Sequence, residues 1–277
     1  MRERLCKVFK TLSQKVWNIN YESRYYGFYR YSSVLSKGLN IAEDTITDIV
    51  HLELNKKLPL DTITVKYSKP FEAREGVDFE WWILSASGII GLRIQAKKLH
   101  YFGGKYVYEY LDYRTSSGDY QVDNLITSSK NSGAIPLYFF YNWWDIGLNY
   151  GQVVNFTPAC RAYSPRLLGI TISDAFSVKQ LVMRGRNGAE DVLRYSWPIH
   201  CMFCTSYSDL SESVLSFLDT LLGKMRVVKH DRLPEQVFNK LKKSGEELVD
   251  GMPHYLTFIM DRDEPHEDVK EVKRYFL

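Results

Sequence analysis

Asp78, Glu80, Arg93, Gln95 and Lys97 are the residues of this 277-residue chain whose types and spacing can do chemistry together. They lie within Gly76–Lys97 (GVDFEWWILSASGIIGLRIQAK), where two runs rich in β-branched and aromatic residues, Val77–Leu84 and Ile89–Lys97, flank Ser85-Ala86-Ser87-Gly88, a stretch of turn composition. The pattern predicts a β-hairpin. Pairing Leu84 with Ile89 places Glu80 opposite Arg93, Asp78 opposite Gln95 and Gly76 opposite Lys97. Opposed residues share a face and side chains alternate along a strand. Val77, Phe79, Trp81 and Ile83 then join Ala96, Ile94, Leu92 and Ile90 on an apolar face, while the five polar residues crowd the open end of the other. An acid, an amide oxygen and an ammonium on one patch can hold a hard cation through oxygen ligands and stabilise charge developing on a phosphate, which is a metal-nuclease arrangement. Gly76 is expected to leave open space beside the Lys97 ammonium where a substrate phosphate can approach. A cross-strand Asp78–Lys97 salt bridge, and a Glu80–Arg93 pair, are the plainer readings of the same residues.

The elements that must position this patch follow from periodicity. Glu43–Lys57 (EDTITDIVHLELNKK) has helical spacing, with Ile46, Ile49, Val50 and Leu54 on its buried side and Glu43 and Asp44 in the first turn. Acids there are favoured by the helix dipole whether or not they serve a site. Thr62–Tyr67 alternates as a strand and leads into a loop with Lys69, Glu72, Arg74 and Glu75. After the hairpin, Lys98–Gly118 reads as an inserted hairpin, with Gly103-Gly104 at its turn and Tyr106, Tyr108, Tyr110 and Tyr113 beyond. Such an insertion, with Lys98, Lys105 and Arg114, could close over a nucleic acid or simply pack as sheet. Asp119–Asn131 is a second helix, with Gln121 near the patch, and Ile135–Trp144 a strand buried on both faces.

With these elements the chain resembles the PD-(D/E)xK nuclease superfamily, in the Mrr-like variant whose second motif is QxK. The matching residues are Asp78 and Gln95-Ala96-Lys97, and the strings TITD, GVDFEWW, IQAK, IPLYFFYN and WPIHC resemble an uncharacterised bacterial family within it, from about Glu43 to Cys204. The resemblance implies an α/β fold with a restriction-endonuclease-like core of helix, strand, catalytic hairpin, helix and strand. It implies hydrolysis of nucleic-acid phosphodiesters, DNA before RNA, in an antiviral or restriction setting. Asp78, Glu80, Gln95 and Lys97 would be catalytic. Mg²⁺, with Mn²⁺ able to substitute, would be held by Asp78, the Gln95 oxygen, the Ala96 carbonyl and an acid of the first helix, Glu43 ahead of Asp44 and Asp48. Because Gln95 stands where a carboxylate is usual, a binding module of the same fold that grips nucleic acid or protein without cutting is the alternative. A homodimer and a protein partner are both compatible with it.

Composition sets the frame. Hydrophobic residues at 45% and charged residues at 25% are ordinary for a globular domain. A net charge of +3 is too mild to indicate nucleic acid, so any such surface must be local. No apolar run reaches the ~18 residues of a membrane span. Residues 1–40 are expected to form an amphipathic helix over Met1–Trp17 followed by a Tyr-rich segment with Arg24 and Arg30. Residues 41–145 would be the nuclease core, and 146–277 an α+β extension packed on it, with helices over Ser173–Met183, Ser208–Leu222 and Pro234–Val249, a strand over His254–Met260 and a solvated end, Asp261–Lys273. Four cysteines, at 6, 160, 201 and 204, argue against a disulfide framework and for a reducing cytoplasm. His200-Cys201-Met202-Phe203-Cys204 contains a CxxC that could join Cys160 in a zinc site. If the segment is a strand, alternation points His200 and Cys201 apart, which favours buried thiols, and because no second CxxC matches the first, less than one zinc per chain is expected.

Overall fold

The computed structural model describes residues 1–29, 41–67, 76–115, 118–145, 147–157, 160, 164–223, 227–242, 254–263 and 265–276. The hairpin lies at the centre of one mixed sheet. Strand β2 (Phe79–Ser85) pairs antiparallel with β3 (Gly88–Phe102) in the predicted register, Glu80 opposite Arg93 and Leu84 opposite Ile89, extended by a Ser85–Gly88 pair that leaves a two-residue turn. The inserted hairpin is also present, with β4 (Lys105–Tyr108) pairing back onto the end of β3. On the other side of β3 runs β5 (Ile135–Tyr141), parallel to it and buried throughout, reached through helix α3 (Gln121–Ser132). A parallel pair needs such a crossover, which is why α3 lies against one face of β3 and β5.

The remaining strands extend this sheet. Beyond β5 come β6 (Ile170–Asp174) and the short β7 (Trp197–Pro198), both antiparallel. On the far side, β1 (Thr62–Lys66) does not touch the hairpin. Strand β8 (Tyr255–Met260) lies between them, parallel to β2 and antiparallel to β1. The C-terminal segment therefore adds strands to the sheet instead of only packing on it. Two further expectations about the hairpin fail at its open end. Val77 packs with Val122 and Leu125 of α3 and not with Phe79 and Trp81, because the pleat begins only at Phe79. Gly76 faces no open space: it has φ +66°, and a Cβ there would stand 2.4 Å from the Gln121 carbonyl oxygen, so a glycine is needed for the first turn of α3 to come this close.

Helix α1 (Arg2–Tyr29) carries the predicted amphipathic pattern past Trp17, burying Leu5, Phe9, Leu12, Val16 and Trp17, while helix α2 (Glu43–Lys57) buries Ile46, Val50 and Leu54 in the same core layer. Helix α4 (Ala175–Met183) starts at an Asp174 cap that accepts from Ser177 N at 2.8 Å. The short α5 (Ala189–Leu193) follows, then α6 (Leu210–Leu222), capped by Asp209, α7 (Glu235–Lys242) and α8 (Asp268–Arg274). The second half of the helix predicted to reach Val249, the loop 68–75 and residues 30 and 31 of the Tyr-rich segment fall outside the described residues. The charged C-terminal end is not simply solvated. Asp268 is 1% exposed, held by Arg232 at 2.8 Å and Leu233 N at 2.7 Å, and Val269 and Val272 are buried. Two of the cysteines are also paired: a Cys6–Cys204 disulfide ties α1 to the segment after β7, against the expectation from cysteine count. Among the described residues no helix is long and apolar enough to cross a membrane.

Deep in the α2 layer, His51 must be neutral. Its Nδ1 lies 2.9 Å from Thr47 O and its Nε2 3.2 Å from Trp81 Nε1, and the ring stacks on Tyr255. Indole N–H can only donate, so Nε2 accepts and Nδ1 carries the hydrogen. A second proton would set two donors against each other, and burial lowers the His51 pKa from 6.5 to about 4. The unfolded chain thus binds the extra proton first: this contribution to stability is complete above about pH 6.5 and is lost as pH falls towards about 4. Urea unfolding at about pH 7.5 and 4.5 should show a loss in wild type larger by roughly 2–3 kcal/mol than in His51→Gln, which keeps an acceptor but cannot titrate. Equal pH dependence in the two proteins would place the titration elsewhere.

Candidate active site at the open end of the hairpin

Asp78 enters the site from the residue before β2. Its Oδ2 accepts from Gln95 Nε2 at 2.5 Å and from Ala96 N at 2.6 Å, so the carboxylate is locked to β3 by a side chain and a backbone group at once. A carboxylate only accepts, so the Gln95 amide must turn its NH₂ inward. That leaves Gln95 Oε1 facing away from Asp78, buried and without a hydrogen-bond partner among the described residues. Two more oxygens share this condition, Gln121 Oε1 and the Tyr138 hydroxyl. Tyr138 is level with Gln95 in the β3–β5 pairing, and Gln121 packs against Gly76. Burial, followed by the negative fields of Asp78, Glu43 and Asp123, raises the Tyr138 phenol far out of the physiological range, which keeps it a neutral donor.

Lys97 is 8% exposed, follows Gln95 by one pleat and has neither a hydrogen bond nor an ion pair to any described residue. The cross-strand Asp78–Lys97 bridge does not form. Its neighbour Lys98 points to the opposite face, where Nζ donates to Ile41 O at 2.6 Å just before α2. Burial lowers the Lys98 pKa to about 8, with Glu43 working against the shift. Glu43 thus acts across the sheet end from the Asp78 group, in the field of Lys98, Tyr138 and Tyr141. The first turn of α2 is fixed there by Thr47, whose hydroxyl lies 2.9 Å from Tyr141 OH and 3.2 Å from Glu43 O. Asp44 contributes to the field at Tyr141, but Asp48 is taken up by Lys66 at 2.9 Å and stands apart.

A family profile matches residues 5–274, described as a family of unknown function, DUF6615. The chain belongs to this family. Comparison with curated proteins finds no match.

Of the residues that spacing singled out, the structure brings Asp78, Gln95 and Lys97 to one face of the hairpin end, adds Gln121 beside them and sets Glu43 across from them. It commits Glu80 elsewhere. The Glu80 carboxylate is fully buried and surrounded by Trp82 Nε1 at 2.6 Å, Lys240 Nζ at 2.7 Å and Arg93 Nε at 3.4 Å. Burial alone would raise its pKa, but the charges of Lys240 and Arg93 outweigh burial and hold the carboxyl below its ordinary value. Arg93 also donates to Ser128 O of α3 at 2.9 Å. Glu80 is therefore a packing anchor between β2, β3 and α7. In the sequence Tyr138 reads only as part of a buried strand and Lys98 only as a cation of the inserted hairpin. Tyr138 lies within an apolar run, and Lys98 sits on the pleat that alternation assigns to the apolar face.

Removing one partner of a buried ion group leaves an uncompensated charge, at a cost of roughly 3–5 kcal/mol. Lys240→Ala should therefore lower unfolding stability by about 3 kcal/mol in urea titrations while Glu80→Gln with Lys240→Ala together lose less than the sum of the single changes. Additive losses would show that Lys240 and Glu80 are not energetically coupled.

Proposed function

We propose that this chain is a metal-dependent nuclease of the PD-(D/E)xK type, hydrolysing nucleic-acid phosphodiesters, with DNA the favoured substrate and Mg²⁺ the natural ion. One observation carries the reading: a nearly buried Lys97 ammonium, unpaired among the described residues, shares a hairpin face with a fixed Asp78 carboxylate and lies on the side of the sheet where three buried oxygens, of Gln95, Gln121 and Tyr138, have no partner among the described residues. An uncompensated ammonium and orphan acceptors each cost free energy in a folded core, and an anionic ligand with its counter-ion would satisfy both. The donor set is all oxygen, which suits a hard cation. Asp78 and Gln95 Oε1 would hold it first, Gln121 Oε1 is available beside them, and Glu43 would add negative field from α2. A divalent ion bound there supplies Lewis-acid activation of the scissile phosphate and of water.

The chain's own residues have separate tasks. The Ala96 N–H and the Gln95 amide fix the Asp78 carboxylate so that it need not reorganise. Lys97 stabilises the charge that builds on phosphorus or orients the attacking water. Tyr138 stays protonated and can donate to a phosphate oxygen. The order helix, strand, hairpin, helix and parallel strand supports the reading, and the separation of β1 from the hairpin by β8 is a departure from the implied core. A second reading, a module that binds nucleic acid or a protein partner without cutting, is favoured by one fact: the Gln95 amide already donates to Asp78, where a second carboxylate would serve a divalent ion better.

Purified protein incubated with supercoiled plasmid, linear duplex, single-stranded DNA and RNA, each with Mg²⁺, Mn²⁺ or EDTA, separates the two. Cation-dependent cutting is expected, reduced at least ~100-fold in Lys97→Ala, the usual scale for deleting one positioned charge, with melting temperature and nucleic-acid binding little changed. Asp78→Ala should abolish cutting, with partial rescue by excess Mn²⁺. Full activity in folded Lys97→Ala would sink the assignment, and binding without cutting in every condition would establish the module.

A further inference from the structure

A second group of ligand-type side chains lies in the core layer beneath α1, where the sequence pattern had pointed two of them apart. After Pro198 the chain leaves β7 at once and forms a 3-10 helix, Ile199–Met202, instead of continuing as a strand. Phe203 N and Cys204 N both donate to His200 O, at 3.0 and 3.1 Å. In a helix of three residues per turn adjacent side chains diverge by about 120° and not by the half-turn of a strand. His200 and Cys201 can then both reach Cys160. The ligand atoms of Cys160, His200 and Cys201 all lie within 4.8 Å of one another, and all three residues are buried.

His200 makes this group more than a pair of packed thiols. The ring is 1% exposed, and neither Nδ1 nor Nε2 has a hydrogen-bond partner among the described residues. An unsatisfied buried polar group costs roughly 1–3 kcal/mol, and a metal shared with the two sulfurs would satisfy the imidazole. Thr157, whose carbonyl accepts from Cys160 N at 2.9 Å, has a buried and equally unpartnered hydroxyl. We infer that Cys160, Cys201 and His200 bind one zinc ion, a structural clip between Cys160 and the 3-10 turn after β7.

The chemistry favours zinc over a hard ion or a monovalent one. Two thiolates and a neutral imidazole balance Zn²⁺ to zero net charge, so the complex leaves no bare charge in an apolar core, whereas a monovalent ion would leave a negative one. At Zn–S of about 2.3 Å the tetrahedral ligand edges are about 3.7 Å, so shifts of about 1 Å close the site. The fourth vertex falls to Thr157 Oγ1 or a water. Cys204 is spent in the bridge to Cys6 and takes no part. The low exposure of all three ligands fits a closed structural site.

Full-length protein, purified without chelator or thiol reductant, should contain close to one zinc per chain by elemental analysis. Metal-free protein loaded with Co²⁺ should show the charge-transfer band of thiolate-bound cobalt. Cys160→Ser and Cys201→Ser should each weaken zinc binding by more than the roughly 10–100-fold that an outer-shell change costs. Cys204→Ser and Asp78→Ala should keep the cobalt band, which separates this site from the oxygen site of the hairpin. The wild-type cobalt spectrum needs no variant to fold. No thiolate band in that spectrum, zinc retained in folded Cys160→Ser, or zinc lost in Cys204→Ser would each overturn the assignment.

Discussion

Strand β3 cannot hide its polar side chains in water, and the rest of the structure answers that constraint. It lies between β2 and β5 and is buried from Gly88 to Leu99. Its apolar face meets α1 and α2, while Arg93, Gln95 and Lys97 all project toward α3. Each must be matched, because a buried polar group without a partner costs more than its hydrogen bond is worth. Arg93 is matched by Glu80 and by a carbonyl of α3, and Gln95 by Asp78. Lys97 is matched by nothing the described residues supply. The candidate site is thus where, among the described residues, this strand carries an ammonium with no partner.

The same requirement explains why the C-terminal segment is built into the sheet. Glu80 becomes tolerable in the core only when Lys240, 160 residues later, reaches it. The strand that brings this region close is β8, which pairs with β2 on one side and β1 on the other. Asp61 and Asp268, both buried, are likewise held by arginines from remote segments, Arg4 and Arg232. Buried ion pairs add little net stability over apolar packing, but breaking one is costly, so these contacts tie remote segments of the chain together more by penalty than by gain.

Much of this was legible locally. Alternation and turn composition determined the hairpin, its register and the face shared by Asp78, Gln95 and Lys97. Continuous apolarity determined that β5 is buried on both sides, and the Ser173-Asp174 cap marked the start of α4. These features depend on residues a few positions apart, where backbone geometry is the governing physics. The placement of β8 between β1 and β2, the closure of α3 over Gly76, the capture of Glu80 by Lys240, the Cys6–Cys204 bridge and the convergence of His200 with Cys160 and Cys201 were decided only in three dimensions. Each joins groups far apart in the chain, or depends on where a strand stops. Periodicity carries no record of such partners, because a strand presents the same alternating pattern whichever neighbour pairs with it.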